Sequence, residues 1–237
     1  LVVISAGGCA DNGGGGRVAN SAFATPEATL DTLKKAGMNK DFDTFVECLS
    51  DSAVLEMAGQ LRAAGTMLQA MGGLAAMGGG EKAAQVKDMI AKMDAHMKKH
   101  VPADAPAVNM MSMSGGLDGG RAAAREAGQA VTDRRSFVAG FLKVMAEQAT
   151  EQPVNNFSVS NVNIDGETAT ASVRDNSKGQ DSLVTLRREN GLWKVDDFGK
   201  LGMSSGPAGG MPGGGSPPGT MPAGTMPRGG MPRGGTP

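Results

Sequence analysis

The sequence predicts an α+β fold, with N-terminal helices packed on one face of a four-stranded antiparallel meander. Three observations predict it. Apolar residues recur at helical spacing from Leu30 to Met145. From Pro153 to Lys200 the pattern reads as four strands joined by short turns, and Glu167–Arg174 alternates with the period of a half-buried strand. Two dipeptides in that stretch, Asp165-Gly166 and Asn190-Gly191, are of the kind that tolerates positive φ in two-residue hairpins.

Thr25-Pro26-Glu27 opens the first helix: Thr caps, Pro has its φ preset for the first helical position, and Glu meets the positive end of the dipole. Leu30 and Leu33 mark its buried face, and Gly37 is expected to stop it. Asn39 is placed to cap a second helix, Lys40–Leu49. Its residues Phe42, Phe45, Val46 and Leu49 fall at i, i+3, i+4 and i+7 and enter the core. Ser52–Met71 continues as helix and Gly72–Gly80 breaks it. Glu81–Val101 is another, with Val86, Met89, Ile90, Met93 and Met97 on one face. Pro102–Gly120, rich in Met, Ser and Gly, reads as a loop. Thr132 or Asp133 caps a last helix, Arg134–Thr150, whose face is Phe137, Phe141, Val144, Met145 and Gln148.

The strands follow. Asn155–Ile164 carries Phe157 and Val159 on one face, but Val162 and Ile164 on the opposite parity. A bulge near Ser160–Asn161 is therefore expected, since one extra residue flips the alternation. Glu167–Arg174 alternates Ala169, Ala171 and Val173 with Thr168, Thr170 and Ser172. Asp181–Arg188 and Leu192–Phe198 complete the sheet, with Trp193 and Val195 sharing a face. A lone sheet cannot hide its apolar side, so helices must cover it.

Composition bounds the rest. The chain has 237 residues, 37 of them Gly and 12 Pro, with no Tyr, which supports one modest core rather than two. Net charge is −1, which gives no electrostatic case for nucleic acid. Two cysteines are too few for a disulfide framework. From Gly206 the chain repeats in fives, with Pro second and Gly fourth in each pentad, a composition that supports neither helix nor sheet. Residues 201–237 are read as a disordered tail, residues 25–200 as the folded domain, and about 55–130 as a helical Ala/Met-rich insertion within it.

At the N-terminus, Leu1–Ser5 reads as the end of a secretory apolar segment. Ala6-Gly7-Gly8-Cys9 resembles a bacterial lipobox, in which small residues precede a cysteine that is acylated. The third position before the cysteine departs from that pattern, with Ala6 where Leu is usual. The resemblance implies lipid attachment at Cys9, a Gly-rich tether over residues 10–24 and a place in the bacterial envelope, facing the periplasm or the exterior. The membrane is then a partner through the lipid.

Candidate chemistry is sparse. His96 and His100 are four apart on a helix and could face one metal, with Met93 and Met97 nearby. Lys92, Lys98 and Lys99 on the same helix oppose a cation, and His100 near the helix end simply complements the dipole. No metal and no cofactor is assigned. Cys48 reads as a half-buried thiol with no His or Cys near in sequence to activate it. Asp196 and Asp197 are adjacent on a strand, so they should point to opposite faces and cannot pair as acid and base. No catalytic residue is assigned.

The blocks Thr25–Leu49 and Asn155–Lys200, with the ending Asn190-Gly191-Leu192-Trp193-Lys194-Val195-Asp196-Asp197, resemble the nuclear transport factor two-like superfamily, most of all its secreted bacterial branch of unassigned function. The resemblance implies a strongly curved sheet wrapped round helices as a cone. Phe42, Phe45, Phe141 and Trp193 would then line its pocket. It implies fold more than activity. The absence of Tyr removes the tyrosine-based oxyanion hole of the ketosteroid isomerase type. The functional expectation is a lipid-anchored, non-catalytic domain that binds a small apolar ligand or a protein partner. The alternatives are a cavity enzyme using an acidic residue such as Asp197, and a structural envelope spacer.

Overall fold

The computed structural model describes residues 20–75, 81–109, 116–148, 157–176 and 179–199. Cys9 and residues 10–19 of the expected tether, the Gly78–Gly80 linker, the Met-rich run 110–113, Thr150, Pro153 and the pentad tail lie outside the described residues. Among the described residues six helices precede the sheet: α1 Pro26–Met38, α2 Phe42–Glu47, α3 Asp51–Ala75, α4 Glu81–His100, α5 Gly116–Gln129 and α6 Arg134–Gln148. A short 3₁₀ turn, Asn20–Phe23, stands before them. The strands are β1 Phe157–Asp165, β2 Thr168–Asp175, β3 Gln180–Glu189 and β4 Leu192–Asp197, paired antiparallel in sequence order. The α+β class and the meander are as expected.

The start of α1 forms as the sequence dictates: Thr25 Oγ1 accepts from the Ala28 amide at 3.2 Å, with Pro26 at the first position. Its end does not. Gly37 is buried inside the helix, which runs to Met38. The stop is Lys40, in the left-handed region at φ +56°. The Asp41 amide reaches back to the Ala36 carbonyl and the Lys40 amide to Gly37, the paired bonds of a Schellman ending. Because Lys40 is used up in that turn, Asp41 rather than Asn39 caps α2, accepting from the Thr44 amide at 3.1 Å. Asp133 caps α6 through Ser136.

Two further helical expectations change. α3 continues through Gly72 and Gly73 to Ala75. α5 lies within the stretch 55–130 read as a helical insertion but was not recognised as a separate helix, and it begins at Gly116, inside the expected loop Pro102–Gly120, because its Gly- and Ala-rich sequence carries little apolar bulk. It packs against α3 by backbone approach. A Cβ on Gly59 would overlap the Ala124 carbonyl, and one on Gly128 would overlap the Leu55 carbonyl.

In the sheet, β1 bulges where predicted. Ser160 pairs with Ser172 but Asn163 with Thr170, and Asn161 adopts φ +52°. The first hairpin is shifted by one residue. Asp165 pairs with Thr168, so Gly166 and Glu167 form the turn, with positive φ at Gly166 alone. The Asn190-Gly191 turn has φ of +53° and +81°, the both-positive form expected. The sheet is neither closed nor strongly curled, shallower than the cone that the resemblance implies. Four strands are about half the number that closes a side-chain-filled barrel, so this sheet needs its helices as the second layer.

The edge of β4 is sealed by the link between α2 and α3. The Ser50 amide donates to Val195 and the Val195 amide to Cys48, 2.8 Å each, a parallel bridge at Leu49. One core joins both layers: Leu30, Leu33, Phe42, Phe45, Val46 and Leu49 meet Phe137, Phe141, Ala171, Val184, Leu186 and Trp193.

Candidate functional site

Polar chemistry gathers where β4 ends against α3 and α5. A second register shift breaks the alternation there. Leu186 pairs with Val195 but Thr185 with Asp197, so Asp196 is the extra residue of a bulge. The expectation that Asp196 and Asp197 part to opposite faces is corrected by this bulge, because an inserted residue suspends the period of two. Both carboxylates bear on Glu56 of α3. Asp196 accepts from the buried Ser50 hydroxyl at 2.6 Å and pairs with Arg187 at 3.3 Å. Asp197 accepts from Arg121 of α5 and the Gly199 amide, at 2.7 and 2.8 Å. Arg121 and Arg125 lie 3.4 and 3.7 Å from the Glu56 carboxylate.

The carboxyls are driven apart. Burial raises Glu56, whose side chain is 18% exposed, and the repulsion of Asp197 and Asp196 adds to it, against Arg121 and Arg125. Burial also pushes Asp197 up, but the bonds from Arg121 and Gly199 outweigh it and hold Asp197 below the usual range. Such a split lets one group hold a proton while its neighbour is ionised. Here, however, each carboxylate is held by cationic or hydroxyl donors. Sequence reasoning found the two aspartates and missed Glu56, Arg121 and Arg125. The i, i+4 spacing of the two arginines was the available signal, and it meant nothing until α5 was recognised as a helix.

Cys48 lies beside the α2 stripe as expected but is fully buried, 0% exposed, rather than half-buried. Its Sγ donates to the Thr44 carbonyl at 3.3 Å. Burial drives its pKa up to about 12, against the pull of nearby Lys194, with Glu47 and Asp41 pushing the same way as burial. Lys194 is itself buried, bonded to the Glu47 carbonyl, with Nζ 3.8 Å from the Phe23 ring centroid. Burial lowers its proton affinity.

Nothing in any comparison matches this chain, whether family model, curated protein or solved structure.

Phe42, Phe45, Phe141 and Trp193 are brought together in one core cluster, all buried. Phe45 stacks on Phe198, and Phe141 lies 5.8 Å from Phe137. His96 and His100 are adjacent but packed on Phe137. Among the described residues, no three His, Cys, Asp or Glu side chains come together as a metal site. No buried side-chain nitrogen or oxygen among them lacks a partner. No helix among them is long and apolar enough to cross a membrane.

Proposed function

We propose that this protein is a lipid-anchored domain of the bacterial envelope that works by binding rather than catalysis. We further propose that it is a shallow relative of the nuclear transport factor two-like fold, interrupted by the helical insertion. The observation that carries the binding reading is the mutual neutralisation at β4. Glu56, Asp196 and Asp197 spend their charge on Arg121, Arg125, Arg187 and Ser50, which fixes structure instead of leaving an acid and base free for substrate. The pocket aromatics Phe42, Phe45, Phe141 and Trp193 fill the core, which favours a protein partner over a small apolar ligand. Attachment through Cys9 rests on the small residues before it and the glycines after it. A diacylated cysteine buries enough CH₂ groups, at about 0.8 kcal/mol each, to hold the chain on a bilayer.

The test is acyl labelling in cells with an alkyne fatty acid, comparing the native chain with Cys9→Ala. Label should be present in the first and lost in the second; label that survives the substitution overturns the anchor. Native mass spectrometry of the full chain then separates the occupants, since a reproducible added mass would mean a small ligand. The split between Glu56 and Asp197 favours a second reading, an acid–base enzyme at the end of β4. In that case Glu56→Gln would abolish turnover of a substrate found by activity screening.

A further inference from the structure

α4 and α6 meet through both histidines of the chain. His96 and His100 lie one turn apart on α4, ring centroids 4.8 Å apart. Both rest on Phe137 of α6. His96 stacks on its ring at 5.4 Å, and His100 meets its edge at 5.9 Å. His96 Nε2 lies 2.8 Å from the Phe137 carbonyl, so this nitrogen carries the proton and donates. Gly140, three residues on, makes room for the ring, since a Cβ there would overlap it. His100 is 5% exposed, and its own carbonyl closes the end of α4 by accepting from the Thr132 amide and hydroxyl, 2.9 Å each.

We propose that the His96–His100 pair is an acid-sensitive clasp, which holds α4 on α6 while His100 is neutral and releases it when His100 is protonated. The surroundings give the sign. Burial disfavours charge on His100 most, followed by His96 and Lys99 of its own helix. A bond to the Thr132 backbone and the Asp133 carboxylate before α6 oppose this and are outweighed. Asp133 is itself engaged with Ser136. An imidazolium at His100 would lose its water and meet the charge of Lys99 on the same helix. The unfolded chain takes up a proton near the ordinary value of about 6.5, and the folded His100 only at lower pH. The clasp is therefore at full strength above that value and weakens as pH falls toward the folded one.

Two readouts test it on the full chain. Nuclear magnetic resonance follows the two imidazole signals, assigned with His96→Gln and His100→Gln, and His100 should titrate below about 6.5. Hydrogen exchange, corrected for intrinsic rates, should show α4 protection falling about tenfold more than that of β2 and β3 between about pH 7.5 and pH 5. That excess should vanish in His100→Gln. A His100 that titrates at the ordinary value or above overturns the clasp even if neither variant folds. So does protection lost equally in helix and sheet.

Discussion

A single side chain, Cys48, shows how far a residue's neighbours in the fold differ from those in the chain. Its sequence surroundings offered nothing to activate it. Folding brings Lys194 beside it from the far end of the domain, and burial still wins, holding the thiol up to about 12. A thiol so placed is inert. In a Cys9→Ala background, a maleimide at about pH 8 should label Cys48 only when the domain opens, at least about a hundredfold slower than in denaturant. Labelling at the unfolded rate would refute that burial. The sign of the pH effect is also set. The raised thiol contributes stability fully below its ordinary value of 9.0, and loses it as pH climbs toward about 12. The sequence placed Cys48 next to the buried stripe correctly, because helical periodicity is a local property. Lys194 was invisible because its approach depends on the bridge between Leu49 and Val195.

Among the elements, α5 was the least legible, because its interface is made of missing side chains. Periodicity reports apolar bulk, and Gly59, Ala124 and Gly128 supply none. They allow two backbones to touch, with Leu55 and Ala124 carbonyls where side chains would normally stand. The consequence is rigid intolerance. Gly59→Leu should cost about 3 kcal/mol in urea unfolding, the upper end for overpacking, because the obstacle is backbone and cannot rotate away. A cost under about 0.5 kcal/mol, the level of a neutral surface change, would mean that the helices are not in this contact. The strands were far more legible. Alternation and Asn-Gly are local signals, and even the β1 bulge could be read from the parity change at Val162. The β4 bulge could not, since Asp196 and Asp197 are both polar and leave no apolar parity to break. That is why the carboxylate cluster was misjudged.

At the scale of the whole molecule, Arg135 ties the layers together. From α6 it donates to the Val46 and Leu49 carbonyls at 2.7 and 3.3 Å, just where the α2–α3 link meets β4, and it pairs with Asp51 at 2.7 Å. Asp51 is 85% exposed, so the ion pair adds little and the carbonyl bonds carry the effect. Arg135→Ala should therefore cost about 2–3 kcal/mol, with little dependence on salt, and Lys should restore under about half of it for want of the planar fork. A loss that disappears in high salt would return the role to Asp51. The helix-then-sheet order was plain in the sequence. The seam that joins them was not, since backbone pairing between a loop and a strand leaves no mark in residue type. That seam also sets a clock on synthesis. Ser50 and Asp196 are 146 residues apart; at about 5–20 residues per second, the first waits roughly 7–30 seconds for the second to be made. Through that interval the link between α2 and α3 has no β4 to pair with, and the domain can close only when its last strand leaves the ribosome.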